Sequence, residues 1–169
     1  TAGSDANDPG WTASSYVGSN ALAFDGSNDY VTTSSTVAKT ASSFTLSAWF
    51  QTNTTSGQQM LLWQGYSGGD GYGSTGGNST TAEMSLSVGG WDQDNKIAFH
   101  LGYTNQANGN PIYILSSSDF TDTTGWHHAA VTVSDQGGGF FSATLYIDGV
   151  LEGTDTGNQN LRDAWGNLQ

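Results

Sequence analysis

Two short acidic stretches carry the residue types that hold a hard cation. Asp25-Gly-Ser-Asn-Asp29 and Asp92-Gln-Asp-Asn95 cluster carboxylate and amide oxygens on turns, and calcium takes six to eight such oxygens. The expected ligands are Asp25, Asn28 and Asp29, or else Asp92 and Asp94. A second reading stands beside this one, in which Asp25 and Asn28 cap the backbone of their own turn. Neither stretch has the twelve-residue loop with a terminal Glu of an EF-hand. Aromatic residues offer a different chemistry. Trp63, Tyr66, Tyr72 and Trp91 border a Gly-rich stretch from Gln64 to Thr81. Aromatic faces stack on sugar C–H groups while Asn and Asp read hydroxyls, so these four are the expected glycan ligands. The other reading makes Trp63 core and lets the tyrosines pack the loop.

Catalytic patterns are sparse. There is no Cys, no Gly-x-Ser-x-Gly elbow and no phosphate loop. A glycosidase needs two carboxyls about 5 to 9 Å apart. Glu83 and Glu152 are the only glutamates, and they sit on separate segments. The expectation is a non-enzyme, with hydrolysis as the remote alternative. His127 and His128 are adjacent, so on a strand they point to opposite faces and cannot readily share one ion. Asn53-Thr-Thr55 and Asn78-Ser-Thr80 match the glycosylation pattern, a weak signal in a chain rich in Asn, Ser and Thr.

Charge narrows the partners. Three Lys plus Arg stand against fifteen Asp plus Glu, for a net charge of −12. Nucleic acid needs clustered cations to neutralise phosphates, and this chain cannot supply them. The same argument disfavours anionic membranes. No apolar stretch approaches the ~20 residues that span a bilayer.

The elements that must position these residues are strands. Short alternating runs separated by Gly, Asn, Asp and Ser predict an all-β chain. Phe44, Leu46, Ala48 and Phe50 share one face of a strand, opposite Thr45, Ser47 and Trp49. Strands are also predicted at Ala21–Phe24, Tyr30–Thr33, Met60–Trp63, Ala82–Val88, Lys96–Tyr103, Ile112–Leu115, Trp126–Ser134 and Phe141–Ile147. Asp135 to Gly139 is expected as a turn, and Asp148-Gly149 as a type I′ hairpin. The predicted core comprises Phe44, Leu46, Phe50, Leu86, Phe99, Leu101, Val131, Leu145 and Ile147. Residues 1–20 form a polar leader and 21–169 one domain.

Four segments carry a family resemblance. Ala23-Phe-Asp-Gly-Ser-Asn-Asp-Tyr-Val31, Phe44-Thr-Leu-Ser-Ala-Trp-Phe50, Gly125-Trp-His-His-Ala-Ala-Val-Thr132 and Leu145-Tyr-Ile-Asp-Gly149 occur in that order. Together they resemble the laminin-G-like jelly roll of the concanavalin A-like lectin/glucanase group. The resemblance implies a two-sheet antiparallel jelly-roll sandwich. It also implies an extracellular or cell-surface module that binds glycan or a surface partner, with calcium as its cofactor. A structural subunit of a surface filament or adhesin, assembled by strand pairing between chains, is the alternative. Family members open with a strand ahead of the Phe-Asp-Gly segment and close with further strands. Thr1–Asn20 shows no strand pattern and the chain stops at Gln169. The sandwich is therefore expected to lack the family's first and last strands, with those strands lying outside this chain or donated by another.

Overall fold

The structure is a computed structural model that describes residues 7–32, 43–64, 82–90, 93–103 and 109–159. All regular elements among these residues are strands. A small hairpin-like pair comes first, β1 (Gly10–Thr12) with β2 (Ala21–Ala23). Two larger antiparallel sheets follow. The first holds β3 (Ser43–Phe50), β9 (His127–Gly137), β10 (Phe140–Ile147), β11 (Val150–Gln159) and β7 (Gly109–Asn110), in the order β3-β9-β10-β11-β7. The second holds β4 (Gln59–Gln64), β5 (Ala82–Gly90), β6 (Gln93–Tyr103) and β8 (Ile112–Leu115), in the order β4-β5-β6-β8.

Side-chain alternation fixes which faces meet. Leu46 and Phe50 of β3, Val131 and Val133 of β9, and Ala143 and Leu145 of β10 turn inward from the five-stranded sheet. Met84, Leu86 and Val88 of β5, with Ile97, Phe99 and Leu101 of β6, turn inward from the other. These residues form one buried cluster between two face-to-face antiparallel sheets, the jelly-roll sandwich that the resemblance implies. Seven of the nine predicted core residues are buried; Phe44 and Ile147 are only partly so and pack against the cluster. A one-residue register slip in either sheet would turn this apolar set out to water.

The sheets close on each other where β11 passes β8. A Cβ at Gly153 would lie 2.6 Å from Ile114 Cγ2, and one at Gly157 would lie 2.5 Å from the Asn110 carbonyl oxygen. Only glycine permits that approach. Asp155 Oδ2 accepts the Tyr113 N–H at 2.9 Å across the same gap.

Some boundaries differ from those expected. Gly10–Thr12 is a strand inside the segment read as a structureless leader. Its three residues are too few for alternation to show, and pairing with Ala21–Ala23 defines it. Tyr30–Thr32 is not a strand. The Tyr30 amide bonds the Asn7 carbonyl, but among the described residues the segment has no strand beside it. β9 runs on to Gly137, leaving Gly138-Gly139 as the turn, because a bulge at Phe140/Phe141 lets Gly137 pair Phe140. The Asp148-Gly149 hairpin is as expected, with φ of 51° and 82°. No helix among the described residues is long and apolar enough to cross a membrane.

Candidate functional site

The outward face of the four-stranded sheet carries one polar and aromatic row. Trp63 of β4 pairs Ser85 of β5, Ser85 pairs His100 of β6, and His100 pairs Tyr113 of β8. Their inward neighbours Met84, Leu86, Phe99 and Leu101 fill the core, so alternation sends this row to the opposite face. Its floor, Ser85, Ser87 and His100, is buried, while Trp63 and Tyr113 at the rims are partly exposed. About three inter-strand spacings, ~14 Å, separate the rims.

The floor is polar and uncharged. Burial strips water from the His100 imidazole and lowers its pKa to about 4, so the ring is neutral at pH 7 and has one donor and one acceptor nitrogen. The Tyr113 ring meets it edge-on at 6.4 Å. Gly90 makes room for Tyr113, since a Cβ there would lie 2.7 Å from the Tyr113 hydroxyl. Ser87 donates to the Gly89 carbonyl at 2.8 Å and accepts from Gln58 at 3.4 Å. The Trp63 indole N–H is buried without a hydrogen-bond partner among the described residues, as is the side-chain amide of Gln64. An orphaned buried donor costs about 1–3 kcal/mol.

Of the four residues expected to bind glycan, Trp63 is placed in this row. Tyr66, Tyr72 and Trp91 lie outside the described residues. Ser85, His100 and Tyr113 escaped the sequence reading. The alternation of Lys96–Tyr103 put His100 opposite the core side chains, but nothing local marked that second face as buried too.

The acidic turns are engaged in holding backbone. Asp25 Oδ1 accepts the Ser27 and Asn28 amides at 2.8 and 3.4 Å, and Asp29 Oδ2 accepts the Asp25 amide at 2.9 Å. Asn28 donates through Nδ2 to Asn7 Oδ1 at 2.6 Å. One oxygen of each carboxylate is thus taken up by the turn. A calcium here would use the two remaining oxygens and complete its shell mostly from solvent. Asp94 Oδ1 accepts the Gly57 amide at 2.8 Å and ties the loop after β3 to the start of β6. Asp92 lies outside the described residues. No group of three or more His, Cys, Asp or Glu among the described residues is arranged to hold a metal ion.

Glu152 also has a structural task. Its Oε2 accepts the Ser117 hydroxyl and the Ser118 amide, both at 2.8 Å. The Ser118 amide contributes most to lowering its pKa, against a smaller opposing effect of desolvation. The two histidines part as expected. His127 packs against Phe50 and Phe120, and His128 against Trp49. Asn53 is exposed on its loop; Asn78 lies outside the described residues.

A family model described as the concanavalin A-like lectin/glucanases superfamily matches residues 25–169. No curated protein matches the chain. The chain belongs to the concanavalin A-like lectin/glucanase superfamily, in its laminin-G-like branch.

Proposed function

From that membership we propose that the protein is a non-catalytic recognition module, acting outside the cell, that binds glycan along the Trp63–Ser85–His100–Tyr113 row. The observation that carries this reading is the buried indole N–H of Trp63, without a hydrogen-bond partner among the described residues, at the rim of an uncharged polar floor. Such a floor suits a neutral ligand rich in hydroxyls. Ser and neutral His exchange hydrogen bonds with hydroxyls in either direction, and the rim rings offer faces to sugar C–H groups. The ~14 Å between rims suits a short oligosaccharide better than a single sugar. Hydrolysis is the weaker reading. Glu83 pairs with Gly102 in the backbone ladder, and Ser85 and His100 of the row are not acidic. Glu152 serves the Ser117–Ser118 loop instead.

A structural subunit is the second reading. It draws on β3, which has a partner strand on one side only among the described residues. An open edge of this kind pairs readily with another chain.

The test is titration of neutral oligosaccharides against the protein by calorimetry, after a glycan array selects the binders. Trp63→Ala should weaken binding by about 1 kcal/mol, roughly fivefold, with the melting curve checked alongside. His100→Gln, which keeps an amide in place of the ring, should weaken it less. Absence of any glycan binder would reject the reading. Concentration-dependent assembly in that case would favour the subunit.

A further inference from the structure

His127, at the start of β9, lies between two carboxylates. Its Nδ1 is 2.7 Å from Asp148 Oδ2, and its Nε2 is 3.4 Å from Asp122 Oδ2. Nε2 is buried and makes no hydrogen bond among the described residues. The rings of Phe50 and Phe120 pack against the imidazole. Gly125 leaves room beside it, since a Cβ there would lie 3.3 Å from Asp122 Oδ2 and 3.7 Å from Nε2. Other ionisable groups close by along the chain are turned elsewhere. Asp119 pairs Lys96 at 2.9 Å, and His128 lies against Trp49 on the opposite face of the strand.

Counting hydrogens across the three groups leaves the neutral ring one short. An ionised carboxylate only accepts hydrogen bonds, and both carboxylates are held in that form. The Thr124 amide, bound at the other oxygen, contributes most to lowering the Asp122 pKa. At Asp148, desolvation is outweighed by the bonds from His127 and the His128 amide. The 2.7 Å contact with Asp148 therefore places a hydrogen on Nδ1. Neutral imidazole carries only one hydrogen, so Nε2 turns a lone pair toward the Asp122 oxygen. Two acceptors then face each other and repel. A proton added at Nε2 supplies the missing donor. The contact can then shorten from 3.4 Å to the ~2.8 Å of a charge-assisted bond.

We propose that His127 is a proton-operated clasp, whose imidazolium bridges Asp122 and Asp148 and draws the loop of residues 122–125 against the turn between β10 and β11. Loss of the proton lets the loop relax. Gln51 Nε2 donates to the Thr124 carbonyl at 2.8 Å, so closure of the loop reaches the end of β3. The clasp is independent of the Trp63 row and of the glycan reading. Two amide substitutions would supply the missing donor without any added proton. Asp122→Asn turns an N–H toward the bare Nε2, while its oxygen still accepts the Thr124 and Gly125 amides. Asp148→Asn donates to Nδ1 and moves the ring hydrogen to Nε2, while its oxygen still accepts the His128 amide.

The test is NMR of the whole chain at about pH 5 and about pH 8, which bracket the ordinary charge change of histidine. Ring nitrogen shifts of His127 should show hydrogen on Nδ1 alone at the higher pH and on both nitrogens at the lower. Exchange of the Thr124 and Gly125 amides, relative to their intrinsic rates, should be about threefold slower in acid, the size of a partly exposed ion pair. Both Asn variants should abolish that dependence and keep the loop protected at about pH 8. Exchange is read locally because protonation of His100 destabilises the whole fold toward acid. The proposal is overturned if the wild-type ring keeps one protonation state at both pH values, or if the neutral ring carries its hydrogen on Nε2. It is also overturned if the wild-type loop amides exchange alike at both, or if either Asn variant retains the wild-type dependence. The ring shifts are read on wild type, so they decide the matter even where a variant does not fold.

Discussion

His127 Nδ1 lies 2.7 Å from Asp148 Oδ2, while the other oxygen of the same carboxylate accepts the His128 amide at 2.8 Å. Asp148 returns a bond of its own, its amide donating to the His128 carbonyl at 2.8 Å. The left-handed turn between β10 and β11 is thereby fastened to the first residues of β9. On the far side of the ring, His127 Nε2 faces Asp122 Oδ2 at 3.4 Å. Desolvation raises the Asp148 pKa, but it is outweighed by the His127 and His128 bonds and the nearby imidazoles, so the net shift is downward.

Removing that carboxylate should loosen the turn. Asp148→Ala should cost about 1–3 kcal/mol, chiefly by leaving the His128 amide without its acceptor and by placing Ala at positive φ. Asp148→Asn keeps an acceptor oxygen and tolerates that φ, so it should cost less. Urea unfolding of the three proteins checks this order. Equal midpoints for all three would show that the carboxylate does not hold the turn.

Acid should destabilise the protein in two stages. The pKa of His100 is near 4 when folded and about 6.5 in an unfolded chain. Between those values the unfolded state binds the extra proton. Stability is therefore full above about pH 6.5 and falls toward pH 4, by about 3 kcal/mol in all. His100→Gln should flatten this limb. Below it, Asp148 and Glu152, both with lowered pKa, contribute stability that is lost as pH drops through their folded values. Thermal melts of wild type and His100→Gln from pH 8 to 4 check the first stage. A variant with the same slope as wild type would assign it to other groups.

Calcium should raise the melting temperature modestly. A cation at Asp25 and Asp29 would bind only the folded turn, and at ten times its Kd it would add about 1.4 kcal/mol. Asp25→Asn preserves the oxygen that caps Ser27 and removes the charge. It should keep the calcium-free melting temperature and lose the response to calcium. Identical curves for wild type in chelator and in excess calcium would leave the turn with its capping role alone.

Much of the fold was legible in the sequence because a strand declares its two faces locally. Phe44 to Phe50 alternate with a period of two, and so do Ile97 to Leu101; each run named its inward residues without reference to any other strand. Asp148-Gly149 likewise declared its hairpin, since few residues accept positive φ. Strand order lay beyond such local signals. That β9 lies between β3 and β10, or that β8 meets β11 through Gly153 and Gly157, depends on pairings between segments far apart in the chain. The sites followed the same division. Trp63 and Asp25 stood out as residue types, and the capping role of Asp25 could be weighed from its own turn. His100 looked like an ordinary solvent-side residue until the sheet aligned Ser85, His100 and Tyr113 and buried the floor of their row.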